Sequence, residues 1–141
     1  MVKSYLRYEP RASFGVIASV ESNLVFDSSR KHLLAPALEK VGGWHVRQGI
    51  CTRMLEPSTA SCSGPSLAVT SIAASMSSPL VASGYADGSI RIWDSDKGTC
   101  ETTLNGHKGA VTALRFNKSG AQLASGSKVN DFILWEVVAW H

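Results

Sequence analysis

The chain has 141 residues, of which 44% are hydrophobic and 18% charged, so it is long enough for one ordinary domain with an apolar core. Its formal net charge is only +3, and the whole surplus of Lys and Arg over Asp and Glu lies within residues 1–56. This surplus is too small and too scattered for a dedicated nucleic-acid-binding module, which carries a clustered basic stripe. Weak or indirect contact with RNA stays open.

The cysteines and the apolar runs exclude several further classes. Cys51, Cys62 and Cys100 are odd in number and lack CxxC spacing, so they indicate reduced thiols in an intracellular protein, with neither a disulfide framework nor a zinc site. No apolar run approaches the roughly 20 residues that span a bilayer. We therefore expect a soluble protein with no membrane partner, and an N-terminal transit peptide is the alternative that the interleaved basic and serine residues leave open.

The first predicted strands are residues 33–38 and 41–44. A glycine, a cysteine and a leucine follow Trp44 at five, seven and eleven positions, and the same residue types follow Trp93 at the same distances. The two tryptophans are 49 residues apart. A comparison of the spacers that follow them places an insertion at residues 56–66.

This insertion is rich in Pro, Ser and Gly and has no apolar face, which predicts a surface loop. A phosphorylation or O-glycosylation tract is the alternative. The loop separates a degenerate first repeat, at about residues 12–56, from a second repeat at about residues 67–105.

The second repeat has a close copy further along the chain. Residues 79–93 align without a gap on residues 121–135, at an offset of 42, and the tryptophan that ends each stretch coincides. Residues 69–72 fall on residues 111–114 at the same offset. The offset predicts a repeat architecture.

Each repeat reads as four short strands joined by tight turns, which describes one blade of a β-propeller. The predicted fold class is therefore all-β, a partial propeller in an open arc of about two clear four-stranded blades plus a degenerate one. The last blade, at about residues 106–141, is expected to be incomplete. The predicted strands of the repeat are residues 111–116, 122–126 and 132–135, with residues 99–104 as the fourth strand of the preceding copy.

The pair Gly106-His107, the strand at residues 123–127 and the segment 88–94, which ends in Trp-Asp, resemble the WD-repeat signature. The resemblance implies a row of hydrogen bonds between a histidine, a strand hydroxyl, a turn aspartate and the tryptophan indole, which locks a blade. Such a row satisfies polar groups that are costly to bury without partners.

The resemblance implies blade-locking candidates in each repeat: His107, Ser125, Ser127 and Trp135 in the last, Ser83, Asp87 and Trp93 in the second, and Trp44 in the first. No copy matches fully. Val129 stands at the aspartate position of the last repeat, with Asp131 two places off, so His107 is expected to lack its carboxylate, and Val129→Asp to stabilise that blade by about 1 kcal/mol. Pro65 occupies the histidine position of the second repeat, and His45 follows Trp44 in the first.

A catalytic or metal-binding role for His107 has no support, because no carboxylate or cysteine stands at ligand spacing and no nucleophile motif accompanies it. The two glycines of residues 84–88 lie between strands and no helix follows, which argues against nucleotide binding. We predict a protein that is not an enzyme, with no cofactor, no metal and no small-molecule substrate.

The chain is also similar to the start of the nucleolar WD-repeat protein three (Dip-two) family, through residues 5–8, 14–17, 84–92 and 104–108. The resemblance implies a scaffold in the UTP-B subcomplex of the small-subunit processome, which works with the U-three small nucleolar RNA in small-subunit rRNA processing and ribosome biogenesis. Other protein subunits would be its partners and the nucleolus its location. The alternative is a generic WD-repeat adaptor of a ubiquitin-ligase or chromatin complex, with a cytoplasmic location.

A blade buries its faces only against neighbouring blades. Two clear blades and a degenerate one would leave apolar faces open, and such faces drive association. We therefore expect that the isolated chain is not a stable monomer.

Overall fold

The computed structural model describes residues 22–37, 40–55 and 68–136. Over these ranges it forms eleven strands and no helix, so the described part of the chain holds no helix that could span a membrane. The predicted all-β class is confirmed. The strands are β1 Val25–Phe26, β2 His32–Ala37, β3 Lys40–His45, β4 Ile50–Leu55, β5 Val69–Ala74, β6 Leu80–Tyr85, β7 Ser89–Asp94, β8 Thr99–Asn105, β9 Val111–Phe116, β10 Gln122–Ser127 and β11 Phe132–Glu136.

Strands that follow one another in the chain pair antiparallel in three separate sheets. We call β1 to β4 the first blade, β5 to β8 the middle blade, and β9 to β11 the last blade. The predicted strands of all three repeats are present at their predicted places, and the first repeat forms a sheet of four strands like the middle one. The predicted insertion at residues 56–66 lies outside the described residues, as does the segment after Glu136.

The middle blade lies between the other two and gives one face to each. Val81, Tyr85 and Trp93 belong to the core shared with the first blade, whereas Ala82 and Ile92 belong to the core shared with the last blade. This division follows from strand geometry, because successive side chains point to opposite faces of a sheet. All five residues are at most 2% exposed.

The turn between the first two strands of each blade is built in the same way three times. A side-chain oxygen at its start accepts a hydrogen bond from the residue two places on: Asp27 from the Ser29 hydroxyl (2.7 Å), Ser75 from the Ser77 amide (3.3 Å), and Asn117 from the Ser119 hydroxyl (3.2 Å). Such side chains close a turn by imitating backbone. We call the end of the blades that carries these turns the lower end, and the opposite end the upper end.

Candidate functional site: the polar networks between the blades

A continuous chain of hydrogen bonds runs through the last blade. The Trp135 indole N–H donates to the Ser125 hydroxyl oxygen (2.8 Å), and Ser125 Oγ lies 2.6 Å from Nε2 of His107. On its other side, Nδ1 of His107 lies 3.0 Å from a carboxylate oxygen of Asp131, which also accepts from the Ser127 hydroxyl. His107 and Ser125 are buried, so each polar group meets the requirement that a buried donor or acceptor be paired.

The partners of His107 determine its tautomer. A carboxylate only accepts hydrogen bonds, so Nδ1 must carry the proton that faces Asp131. In the neutral imidazole Nε2 is then the acceptor for the Ser125 O–H, while the Ser125 oxygen accepts from Trp135. Every donor in the chain therefore points the same way, from the indole toward the carboxylate, an arrangement in which each bond polarises the next.

The expectation that His107 lacks a carboxylate is wrong, because Asp131 supplies it. Val129, at the predicted aspartate position, is 53% exposed and lies in the turn before β11. A gapless alignment puts Asp131 two places too far along, but the turn brings the carboxylate back to the imidazole. The signal available in the sequence was the nearest acid within the same turn.

The network also acts on the acid. The hydrogen bond from Ser127, and next the contact with His107, hold the pKa of the Asp131 carboxyl below its ordinary value of 3.8. Partial burial of the carboxyl works in the opposite direction and raises the pKa, but less than these contacts together lower it. Asp131 is therefore ionised throughout the neutral range and is an acceptor only.

The middle blade has a network of different composition. The Trp93 indole donates to the Ser83 hydroxyl (2.8 Å), as its counterpart does in the last blade. The Ser83 hydroxyl then lies 3.3 Å from the phenol oxygen of Tyr85, which is 2% exposed, and Arg91 lies 5.0 Å from the centre of the Tyr85 ring. The predicted histidine position, Pro65, lies outside the described residues.

Among the described residues, Asp87 is bonded within its own turn and not to the Trp93–Ser83 row. Its carboxylate accepts hydrogen bonds from the amide (2.9 Å) and the hydroxyl (2.6 Å) of Ser89, and the residue is exposed in the turn between β6 and β7. It therefore stabilises the turn. The sequence did not predict a role for Tyr85, because the family pattern has a histidine in this network. The available signal was a tyrosine two residues after the strand serine, on the same face of the strand.

The first blade has an apolar version of the site. Trp44 is 8% exposed, and Ala35 stands in β2 where β6 has Ser83, so this strand position offers the indole no hydroxyl group. A side chain at Gly42 would collide with the Trp44 ring, so this close approach requires glycine. His45, after the tryptophan, accepts a hydrogen bond from the Gln48 amide (3.3 Å), much as Asp94 does from the Lys97 amide (3.1 Å).

Two sets of side-chain hydrogen bonds, which the sequence did not indicate, join β5 of the middle blade to the blades on either side of it. The Asn23 amide donates to the carbonyl and accepts from the N–H of Ile72, both at 2.9 Å, and so imitates a paired strand residue. The Thr70 hydroxyl lies 2.6 Å from the carbonyl oxygen of Val111. At the upper end, Gly88 (φ +90°) packs against the backbone carbonyl of His107, where a side chain would not fit.

One cluster in the first blade has the residue types of a hydrolase triad but not its geometry. Asp27 lies 3.1 Å and the Ser29 hydroxyl 3.4 Å from the same nitrogen, Nδ1, of His32. A triad needs the serine on one ring nitrogen and the acid on the other, so this imidazole cannot pass a proton between them. Within the described ranges no group of three or more His, Cys, Asp or Glu residues is placed to hold a metal ion.

The WD domain, G-beta repeat family matches residues 56–94 and 98–134, which is more than half of the chain. Among curated proteins, the chain is 38% identical over 90% of its length to U3 small nucleolar RNA-associated protein 12 of Saccharomyces cerevisiae, and 35% identical over 79% to the WD repeat-containing protein 3 homolog of Dictyostelium discoideum. It spans only 15% and 11% of these proteins.

Among solved structures, the one titled "Structure of U3-55K" superimposes with a TM-score of 0.76 at 26% identity, covering 87% of this chain and 37% of that one. The predicted fold class, an open part of a propeller, is thereby confirmed, and so is the predicted resemblance to WD-repeat protein three. The three stacked sheets and the matching repeats show that the chain belongs to the WD-repeat family.

Proposed function

We propose that this chain is part of a non-catalytic scaffold that joins protein subunits of a pre-ribosomal particle during small-subunit rRNA processing, together with the U3 small nucleolar RNA. The observation that carries the proposal is the 38% identity, over 90% of the chain, to a protein named for its association with that RNA. The corresponding location is the nucleolus.

The use of the buried polar groups supports a scaffold. The network inside the last blade engages the polar groups of His107, Ser125 and Trp135 in hydrogen bonds. The network of the middle blade engages those of Ser83 and Trp93 in the same way. We propose that these residues lock the blades. Groups that hold blades together are not available for chemistry on a substrate, which leaves the turns and the sheet edges for contacts with other molecules.

The outer strands offer one such surface. β8 (Thr99–Asn105) lies at the edge of the middle sheet, and five of its seven residues are exposed: Thr99, Cys100, Glu101, Thr103 and Asn105. An edge strand presents unpaired backbone groups that a partner segment can extend. Repeated blades therefore give a complex several edges in a fixed geometry.

Affinity purification of the protein, tagged at its own chromosomal locus, tests the proposal. We expect small-subunit processome proteins and the U3 RNA in the eluate, and we expect the proteins to persist after ribonuclease treatment, since the modest charge favours protein contacts over direct RNA binding. Ile92→Lys, which places a charge in the core between two blades, is the control that should lose these partners. Recovery of cullin-type ligase or chromatin components in their place would support the generic adaptor and overturn the proposal.

A further inference from the structure

We propose that the lower end of the blades binds an acidic peptide segment that carries an apolar anchor residue. The site is a groove of about 880 Å³ that spans all three blades, and we call it the lower groove. It rests on the scaffold function proposed above and names the chemical class of one partner. The residues that carry the argument are Phe26, Arg30, Met76, Leu114, Arg115 and Lys118, all of which line the groove.

The blades differ at one position of the repeat that lines the groove. Phe26, Ala74 and Phe116 occupy equivalent places, since each pairs with the β-strand residue that in turn pairs with the tryptophan of its blade. The first and last blades carry phenylalanine there and the middle blade carries alanine. All three of these residues line the groove, so its lining is bulky on the first and last blades and small on the middle one.

The lining exposes apolar surface that the described chain does not cover. Phe26 is 52% and Met76 51% exposed, and Leu114 also lines the groove. Single exposed apolar residues are ordinary, but several in one concavity mark a binding surface. Their occupant must present an apolar side chain of its own.

The charged residues that the structure describes at the groove are of one sign. Arg30, Arg115 and Lys118 line it, and none of the described lining residues is acidic. Within the described residues none of the three cations forms an ion pair. The nearest acid along the chain, Asp27, is engaged by Ser29 and His32. Unpaired cations around a low-dielectric surface attract carboxylates, which arginine binds in a bidentate manner.

The apolar part of the lining favours a peptide over a nucleic acid. Single-stranded RNA is held by aromatic platforms on which successive bases stack, beside a basic track that follows many phosphates. The two aromatic residues of the lining, Phe26 and Phe116, belong to the blades on either side of the middle one, so they do not form a continuous stack. Val25, Met76 and Leu114 supply aliphatic contacts, and three cations line one groove in place of a long basic track. An anchor such as leucine or phenylalanine, flanked by Asp or Glu, matches this arrangement.

Selection of peptides from a library of random twelve-residue sequences, against the full 141-residue chain displayed on the surface of yeast, where its molecules cannot associate with one another, tests the inference. We expect enriched peptides to combine several acidic residues with a large apolar residue. The best of them, made synthetically, should bind at least about tenfold more weakly to the double variant Arg115→Glu/Lys118→Glu, because two attractive contacts become repulsive. Met76→Ser should weaken binding several-fold by removing part of the apolar lining.

Lys108→Glu is the matched control, because it reverses a charge on an exposed residue at the upper end, before β9. We expect less than about a twofold change there, since exposed charges beyond the screening length interact weakly. Equal losses at both ends would show non-specific attraction and overturn the inference. So would enrichment of basic peptides, no enrichment at all, or tighter binding of an oligouridine RNA in competition. None of these outcomes affects the purification of processome proteins, so the two proposals fail separately.

Discussion

The middle and last blades carry similar residues at equivalent positions, but these residues are buried in the middle blade and exposed in the last one. Ile90 and Ile92 of the middle blade are 0% exposed, whereas Phe132 and Leu134, 42 places further on, are 86% and 59% exposed. The difference lies in the neighbour, since the last blade covers the first pair and nothing in the described chain covers the second. An apolar residue in this repeat therefore indicates a face built for a neighbouring blade.

The other face of the last blade shows that its exposed side is not a sign of poor folding. Leu123 is 0% and Ser125 3% exposed against the middle blade, as close to fully buried as Val81 and Ser83 are against the first. One sheet thus has a fully packed face and an open face. Substitutions on the packed face and on the open face of this sheet can therefore be compared directly.

The largest effect that we expect from the open face is on self-association. The 141-residue chain should sediment as oligomers or aggregates, because the exposed Phe132 and Leu134 form part of an uncovered apolar face. The double-lysine variant Phe132→Lys/Leu134→Lys should shift it toward the monomer in sedimentation velocity. A monodisperse wild-type monomer with one cooperative thermal transition would show that the open face does not drive association, and would contradict this prediction.

The second expected effect separates the two blades by stability. Ile92→Ala should destabilise the chain by about 2–5 kcal/mol, as large-to-small changes in a packed core do. Leu134→Ala, at the equivalent open position, should cost less than about 0.5 kcal/mol. Protease resistance of both variants on the surface of yeast, where molecules cannot associate, measures the difference, and similar losses would show that the two faces are packed alike.

The third expected effect compares the polar networks. His107→Ala in the last blade should cost about 1–3 kcal/mol, because it leaves Ser125 and Asp131 without their shared partner. Tyr85→Phe in the middle blade should cost about 1 kcal/mol, the usual net worth of one hydrogen bond, since it removes the phenol oxygen that lies 3.3 Å from the Ser83 hydroxyl. Urea unfolding in the double-lysine background, followed by tryptophan fluorescence, gives both numbers. A larger loss of stability for Tyr85→Phe than for His107→Ala would mean that the network of the middle blade contributes more to stability than that of the last blade.

A smaller effect depends on pH. The pKa of Asp131 is lowered in the folded chain, so its ionised form stabilises the fold above the ordinary value of 3.8, and this contribution is lost as the pH falls through the lowered value. In the same background, Asp131→Asn should remove that part of the acid sensitivity, seen as a smaller drop in the urea midpoint between neutral pH and pH about 3. Asp87→Asn is the matched control, and an unchanged acid drop in Asp131→Asn would argue against the network.

The smallest effect concerns Val129→Asp. The sequence alone predicts a gain of about 1 kcal/mol from this change. Because Asp131 already occupies Nδ1 of His107 and Val129 is exposed, the structure predicts a change below about 0.5 kcal/mol. A clear gain in the urea midpoint would mean that the imidazole lacks its acid in solution.

The strands were predictable because their signal is local. Residues 111–116 and 122–126 alternate and are bounded by a turn, and both strands lie where the sequence places them. The partners of the polar groups were less accessible, since they depend on how a turn folds back. Asp131 was assigned outside the network by counting positions, and Asn23 gave no signal, because its partner Ile72 lies 49 residues away on another blade.

For a related reason, the sequence alone could not predict which apolar faces are covered and which are open. Ile92 and Leu134 are equally apolar, and only the presence of a neighbouring sheet distinguishes their burial. Periodicity reports the side on which a strand is apolar and not what packs there. The exposed fraction of a face is a property of the assembled blades.

Gly88 gives the seam between the middle and last blades a further property. Its turn rests on the carbonyl of His107, so the residue that begins the network of one repeat also receives the turn of the repeat before it. The joint therefore needs a glycine in one repeat, whereas the next repeat contributes only backbone. A repeat moved to another position, in a laboratory shuffle or by gene duplication, would fit this joint as long as its own turn carries glycine here, so one small residue controls whether repeats can be exchanged.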